Sequence, residues 1–373
     1  MRFALLLPVL LLSLSGFAQK YYLFIGTYTN TKVESKGIYV YQFDAATGQT
    51  TPVSSAFTDN PSYLAIAPGG NFLYVVNETD GAKPGRVSSF SFSKSNGQLT
   101  FLNEQPTGGD DPCYVSVDDQ RKWLMIANYS GGNLSALPIR ADGSISPLAQ
   151  LIQHTGKGFN PQRQEKPHVH SVTFTPDKQF VIAADLGLDK LSIYRFTTNA
   201  TIPLSAPTDS TVATHPGSGP RHISFTPDGR YVYQINEMGG TVNAFGYKTG
   251  KLTLIQQTLT HPESFTEDIG SADIHVSPNG KFLYASNRGL ANNIAIYSID
   301  PASGKLATQG YQSTLGQGPR NFIIDPSGQW LLVANQRTNN IVIFHIDPQT
   351  GLLKASDAQL NIPAPVCLKL LPL

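Results

Sequence analysis

One pattern restricts this sequence more than any other: a tight turn followed, at a fixed distance, by an asparagine or aspartate. The turns are Pro68-Gly69-Gly70, Asp119-Gln120, Pro176-Asp177, Pro227-Asp228-Gly229, Pro278-Asn279-Gly280 and Pro326-Ser327-Gly328. Nine residues after the first residue of each stand Asn77, Asn128, Asp185, Asn236, Asn287 and Asn335. Chance does not produce so many matches at one offset. Successive copies lie about fifty residues apart, the period of a propeller or an array.

The copy at Ser218–Gly240 shows what each unit encodes. His222–Thr226 and Arg230–Ile235 are rich in the β-branched and aromatic residues that suit a pleated sheet. Between them Pro227 presets φ and Gly229 accepts a positive φ. A third alternating strand follows in each copy: Val87–Phe92, Asn133–Ile139, Leu191–Phe196, Val242–Tyr247, Ile294–Ile299 and Ile341–Ile346. A turn, usually bearing glycine, then leads to a fourth strand. Four antiparallel strands, radially repeated, make a β-propeller.

Six copies run from about Asn60 to Asn361. The N-terminal part, Tyr21–Ile25 and Gly37–Phe43 with Gly48 in its turn, supplies second, third and fourth strands but no first. The C-terminal Pro365–Leu370 supplies only a first. The expected fold is therefore all-β, a seven-bladed β-propeller whose ring is closed by N- and C-terminal strands, leaving fewer sheet edges open to aggregation.

Residues 1–18 read as a signal peptide rather than as fold. Arg2 is followed by the apolar run Phe3–Leu14, and Gly16-Phe17-Ala18 places small residues before a cut between Ala18 and Gln19. The run is too short to span a bilayer comfortably. Residues 19–373 are expected to form one propeller domain, exported to the periplasm or the extracellular space. A formal charge of +1 and 14% charged residues leave no footprint for nucleic acid. Cys113 and Cys367 fall on non-neighbouring blades and are expected to remain free thiols.

In a ring of this kind the first strands line the central channel. The start of strand one and the end of strand two meet at one mouth. Six places before each turn stand Ser62, Cys113, His170, Arg221, Ala272 and Arg320, with Val366 from the C-terminus. One place after the recurrent Asn or Asp stand Glu78, Tyr129, Leu186, Glu237, Arg288 and Gln336. The ionisable groups gather in consecutive blades, His170 in the fourth, Arg221 and Glu237 in the fifth, Arg288 in the sixth and Arg320 in the seventh. That bias favours an anion site, against the duller reading of a structural ion network. The recurrent Asn and Asp also have a dull reading, as turn devices.

His168 and His170 alternate along one strand, but no third ligand at a recognisable spacing joins them, so no metal is expected. The signatures HExxH, GxSxG and GxxxxGK are missing. His154–Lys166, an insertion directly before His170, is expected to form a lid or rim loop over the mouth.

Phe24-Ile25-Gly26-Thr27-Tyr28-Thr29, Pro167-His168-Val169-His170-Ser171, Ala184-Asp185-Leu186-Gly187, Gly219-Pro220-Arg221-His222, Ile235-Asn236-Glu237, Ser286-Asn287-Arg288-Gly289 and Val333-Ala334-Asn335-Gln336, taken in this order, resemble the seven-bladed propeller lactonase family. That family takes in propeller-type 6-phosphogluconolactonases and carboxymuconate lactonizing enzymes. The resemblance covers essentially the whole chain after the leader. It implies a metal-independent, cofactor-free lactonase with a catalytic group of one His, two Arg and one Glu, carried here by His170, Arg221, Glu237 and Arg288. Arg320, His168, Asn236, Asn287 and Gln336 are placed around them as substrate contacts.

The implied reaction is hydrolysis of a sugar-type lactone, with water activated by Glu237 or His170 and the substrate anion held by Arg221 and Arg288. The partner is a small anionic lactone or sugar acid, and the protein is expected to be a monomer. Reversible lactonisation of a carboxymuconate-like dicarboxylate and a non-enzymatic binding module stand as alternatives. Export departs from the cytosolic setting of phosphogluconolactone chemistry, which leaves the phosphate on the substrate open. At this level Glu237→Gln is expected to remove activity while leaving stability nearly intact.

Overall fold

The computed structural model describes residues 19–206 and 211–373; the proposed signal peptide lies outside them. The described residues fold into seven antiparallel sheets arranged as blades. Blade 2 shows the plan, with Pro61–Ile66 innermost, then Phe72–Asn77, Arg86–Ser93 and Gln98–Pro106 at the outside. Blades 3, 5, 6 and 7 repeat it. In blade 4 the outer edge is split between Leu204–Ser205 and Thr211–Ala213, both paired with Lys190–Phe196. No helix of the described residues is long and apolar enough to cross a membrane.

Blade 1 is built from both ends of the chain, as the missing and surplus strands require. Pro365–Pro372 pairs antiparallel with Lys20–Thr27, which continues outward to Ile38–Asp44 and Thr50–Ala56. Leu23 lies opposite Leu370 and Ile25 opposite Leu368. The seam is sealed against blade 7 by Leu23, Ile25, Leu332, Ile343 and Leu368. Trp330 lies edge-on to Phe43 and donates its indole N–H to the Ala45 carbonyl at 2.8 Å.

Burial follows radial position. Second strands such as Trp123–Asn128 and Trp330–Asn335 are buried at every residue, because neighbouring blades cover both faces. Outer strands lose that cover, and Gln98–Pro106 has no fully buried residue. The turn at Pro227 is stapled by the Thr226 hydroxyl donating to Asp228 at 2.6 Å, with Gly229 at φ +71°.

The recurrent Asn and Asp turn out to be blade latches. Asn77 donates to the Thr58 hydroxyl and the Asp59 carbonyl, and accepts from Ser88 on the third strand. Asn287 likewise donates to the Thr260 carbonyl and Asn293 and accepts from Ser271. Asp185 cannot donate, and there the insertion supplies His154, whose Nδ1 meets Asp185 at 2.6 Å and whose Nε2 meets the Tyr194 hydroxyl at 2.7 Å.

One irregularity positions the site. Each innermost strand is bulged six residues before its turn, so that Ser62, Cys113, His170, Arg221 and Arg320 fall out of register with the second strand. Val366 does the same in blade 1, and blade 6 is irregular across Ala272-Asp273. A bulge breaks the period-two alternation and re-aims side chains. Two consecutive residues per blade thereby reach the channel.

Candidate functional site

The first of those two positions forms the mouth. Arg221 is 1% exposed and sits on the inner strand Pro220–Phe225. Its Nε donates to Glu237 Oε2 at 2.9 Å and its Nη1 to the Ala272 carbonyl at 2.7 Å. Glu237 follows the second strand Tyr231–Asn236, and its N–H donates to the Gly219 carbonyl at 2.7 Å, which carries it back over Arg221. Arg288, at the matching place in blade 6, reaches the same Oε2 with Nη2 at 2.9 Å while its Nε donates to the Gly270 carbonyl.

The other carboxylate oxygen is taken by a residue the repeat does not reveal. Arg163, within the insertion, donates from Nη2 to Glu237 Oε1 at 2.8 Å and to the Tyr129 hydroxyl at 3.3 Å. The insertion is thus a rim loop, and it is tied down rather than free. The buried Gln164 amide donates to the Leu186 carbonyl and to Asp189, and Lys166 caps the Ser130 carbonyl. The only hint in the sequence was the presence of charged residues directly before His170.

Three guanidinium groups on one buried carboxylate decide its chemistry. Burial alone would raise the Glu237 pKa, but Arg288, Arg221 and Arg163 outweigh it and hold the carboxyl far below its ordinary value. Glu237 is ionised at neutral pH, with Oε1 held by Arg163 and Oε2 by Arg221 and Arg288. Arg221 is pulled down to about 10, first by burial and then by the charges of Arg288 and Arg320.

His170 lies beside this cluster. Its ring is 5.3 Å from that of His222 and 5.5 Å from that of Tyr129, and Cys113 Sγ stands 3.7 Å from its Nδ1. Burial, then the charges of Arg221, His222 and Arg320, depress its pKa well below the ordinary value, so the imidazole is neutral at pH 7. Among the described residues nothing hydrogen-bonds its Nε2. On the far side of the mouth Arg320 meets Glu78 at 3.5 Å and lies over the Tyr28 ring, whose hydroxyl donates to Glu78 at 2.7 Å.

The other expected contacts divide. His168 precedes the bulge at His170 and is buried. Its ring stacks on Tyr129 at 4.5 Å, and its nitrogens meet the Tyr129 carbonyl and Glu165. Gln336 is partly exposed at the rim of blade 7. Asn236 and Asn287 are fully buried, with their amide groups engaged within the fold. Asn236 is spent on Thr241 and Gln234, and Asn287 on the latch described above.

The second position per blade forms a floor beneath the mouth. Tyr63 stacks on Tyr114 at 4.1 Å, and His222 packs edge-on to both. Asp273, 1% exposed, accepts from His222 Nδ1 at 2.8 Å and meets His275 at 3.0 Å, and it also takes the Phe322 N–H and the Asn321 amide. With Nδ1 carrying the proton toward Asp273, His222 Nε2 is an acceptor for Arg221 Nη1 at 3.3 Å. Asn321 in turn accepts from Leu368 N–H, which joins the floor to the closing strand. Sequence reasoning missed this layer because strict alternation would have turned it away from the channel.

With this geometry in place, comparison with known proteins is informative. A family model described as "Lactonase, 7-bladed beta-propeller" matches residues 22–370. A Bacillus subtilis protein named 6-phosphogluconolactonase is 38% identical over 355 residues, covering 94% of this chain and 99% of its own. A Formosa agariphila protein of the same name is 35% identical, covering 91% and 96%. The structure of a Pseudomonas aeruginosa periplasmic gluconolactonase superposes with a TM-score of 0.90 at 38% identity, covering 94% and 99%. On these grounds, the chain belongs to the seven-bladed β-propeller lactonase family.

Proposed function

We propose that this protein is a lactonase that hydrolyses a sugar-acid lactone at the channel mouth, with His170 as the base. The observation that carries this is the charge of the mouth, where the ion pairs set four guanidinium groups against two carboxylates, Glu237 and Glu78. Asp273 in the floor is a third carboxylate acting on Arg221, so the excess positive charge at the mouth is that of one guanidinium, the half-exposed Arg163. An anionic substrate, and the oxyanion formed when its carbonyl is attacked, supply the missing negative charge.

In this mechanism a water molecule loses its proton to His170 Nε2 as it adds to the lactone carbonyl. The imidazole is neutral at pH 7 with an open Nε2, whereas both oxygens of Glu237 are already engaged by arginines. Glu237 instead holds Arg221 and Arg288 in place to receive the oxyanion and then the carboxylate of the product. The tetrahedral intermediate then collapses, the ring C–O bond breaks, and His170 returns its proton to the departing alkoxide. The product is the open-chain hydroxy acid. General-base assistance is typically worth about 10²–10⁴ in rate. Loss of an oxyanion donor costs about 10²–10³.

The names of the Bacillus and Formosa relatives support the lactone class, and that of the Pseudomonas neighbour supports export of a chain read from Gln19 onward as one propeller domain. The test is pH-stat hydrolysis of glucono-δ-lactone and its 6-phosphate by the chain from Gln19, with and without chelator. His170→Gln should lose at least a hundredfold in kcat, with a melting temperature close to the parent. If the parent accelerates neither lactone above the spontaneous rate, the binding-module reading replaces this one.

A further inference from the structure

Arg163 differs from the other three arginines of the mouth in its freedom. Arg221 and Arg288 are 1% and 18% exposed at the side chain and are pinned by the Ala272 and Gly270 carbonyls. Arg320 is 15% exposed and lies against Tyr28. Arg163 is 47% exposed, and among the described residues its guanidinium touches only Glu237 and the Tyr129 hydroxyl. Its backbone is fixed, because Asn160 Oδ1 accepts from the Gln162 and Arg163 N–H groups and Gln164 N–H donates to the Asn160 carbonyl. A rooted backbone with a half-exposed, long side chain gives an arm that swings from a set position.

The cost of swinging is small for this arginine alone. When Arg163 leaves Oε1, Glu237 still holds Arg221 and Arg288 on Oε2, so no buried charge is stranded. Withdrawal of Arg221 would strand one. Arg163 reaches solvent, whereas His222 beneath Arg221 is buried.

We infer that Arg163 is the specificity-determining residue of the site, leaving Glu237 to grip a second anionic group, phosphate or carboxylate, at the end of the substrate remote from the lactone carbonyl. Arg221 and Arg288 serve the reacting end, and Arg163 reads the far end. The inference rests on the proposed lactonase reading for the identity of the near end. A planar guanidinium suits either anion through paired N–H donors.

The test is calorimetric binding of three stable open-chain acids at fixed ionic strength: 6-phosphogluconate, glucarate and gluconate. The parent is expected to bind the first two more tightly than gluconate, which lacks the second anion. Arg163→Gln should reduce that preference by roughly 10- to 100-fold, the worth of a charge-assisted hydrogen bond. Arg163→Lys should keep an intermediate preference, which separates charge reading from a fault in the loop. Loss of preference for phosphate but not for glucarate would identify phosphate as the group read, and the reverse would identify carboxylate. A parent that binds all three alike, or none, overturns the inference, as does a preference that Arg163→Gln leaves intact. A parent that discriminates the acids yet hydrolyses no lactone leaves this inference standing and sinks the lactonase reading instead.

Discussion

Glu237→Gln is the substitution for which the structure makes the sharpest demand. From the sequence, the exchange was expected to spare stability. The burial of the carboxylate among three guanidiniums changes that expectation. Glutamine keeps one oxygen acceptor but removes the charge, and it turns an amide donor toward groups that are all donors. Arg221, 1% exposed, is then left with only the Ala272 carbonyl and His222 as neutral partners. Removing one member of a buried pair costs about 3–5 kcal/mol. The half-exposed Arg163 adds at most a few tenths, about what a solvent-screened pair is worth. For a chain of this size each kcal/mol lowers the melting temperature by roughly 2 °C, so a fall of roughly 6–10 °C is expected at pH 7.

The assay is scanning calorimetry of parent and variant across pH. The folded Glu237 carboxyl titrates far below its ordinary 4.5, so its contribution is complete above pH 4.5 and is lost as pH falls toward the folded value. The gap between parent and variant should therefore be constant from pH 5 to 8 and narrow below 4.5. The double variant Glu237→Gln/Arg221→Met, which removes the stranded charge, should recover most of the melting temperature and none of the activity. A single variant within 1 °C of the parent, or a double variant no better than the single, would refute the view that Glu237 neutralises buried arginine.

Three further outcomes follow from other parts of the fold. Deleting Ala364–Leu373 removes the buried Val366, Cys367 and Leu368, on the order of 5–8 kcal/mol of apolar burial before the lost ladder is counted; a truncation that melts with the parent would disprove closure by this strand. Cys113 and Cys367 are buried and unpaired, and burial pushes both thiols up, Cys367 to about 11; the native protein should resist a thiol reagent and yield two thiols in unreduced denaturant, and recovery of none would contradict the structure. His222 is held neutral by burial, which lowers its pKa from 6.5 to about 4 despite Asp273. The unfolded chain therefore protonates first, so stability should decline by up to about 3 kcal/mol as pH falls from 6.5 to 4. His222→Gln should flatten that slope in urea titrations, and an unchanged slope would remove His222 as its source.

The number of blades, their strand content and the closure of the ring were legible in the sequence. Turn residues and β-branched runs act locally, and one local solution repeated at a constant interval has one way to bury both faces of every sheet. The mouth was legible for a related reason, since equal offsets within equal repeats place Arg221, Glu237 and Arg288 at one height around the axis. Three things depended on tertiary structure. The bulge at each inner strand, which gathers His222, Asp273 and Tyr114 into a floor, breaks the alternation from which side-chain direction is read. Arg163 belongs to no repeat and meets Glu237 across 74 residues of sequence, through a loop whose path is set by Gln164, Asp189 and Asn160. The ionisation states of Glu237 and His170 depend on burial and on which charges surround each group. Glu237 meets three arginines and stays charged, while His170, buried near the same positive field, stays neutral. Residue type admits both as candidate bases, and only their surroundings separate an ionised carboxylate from a neutral imidazole.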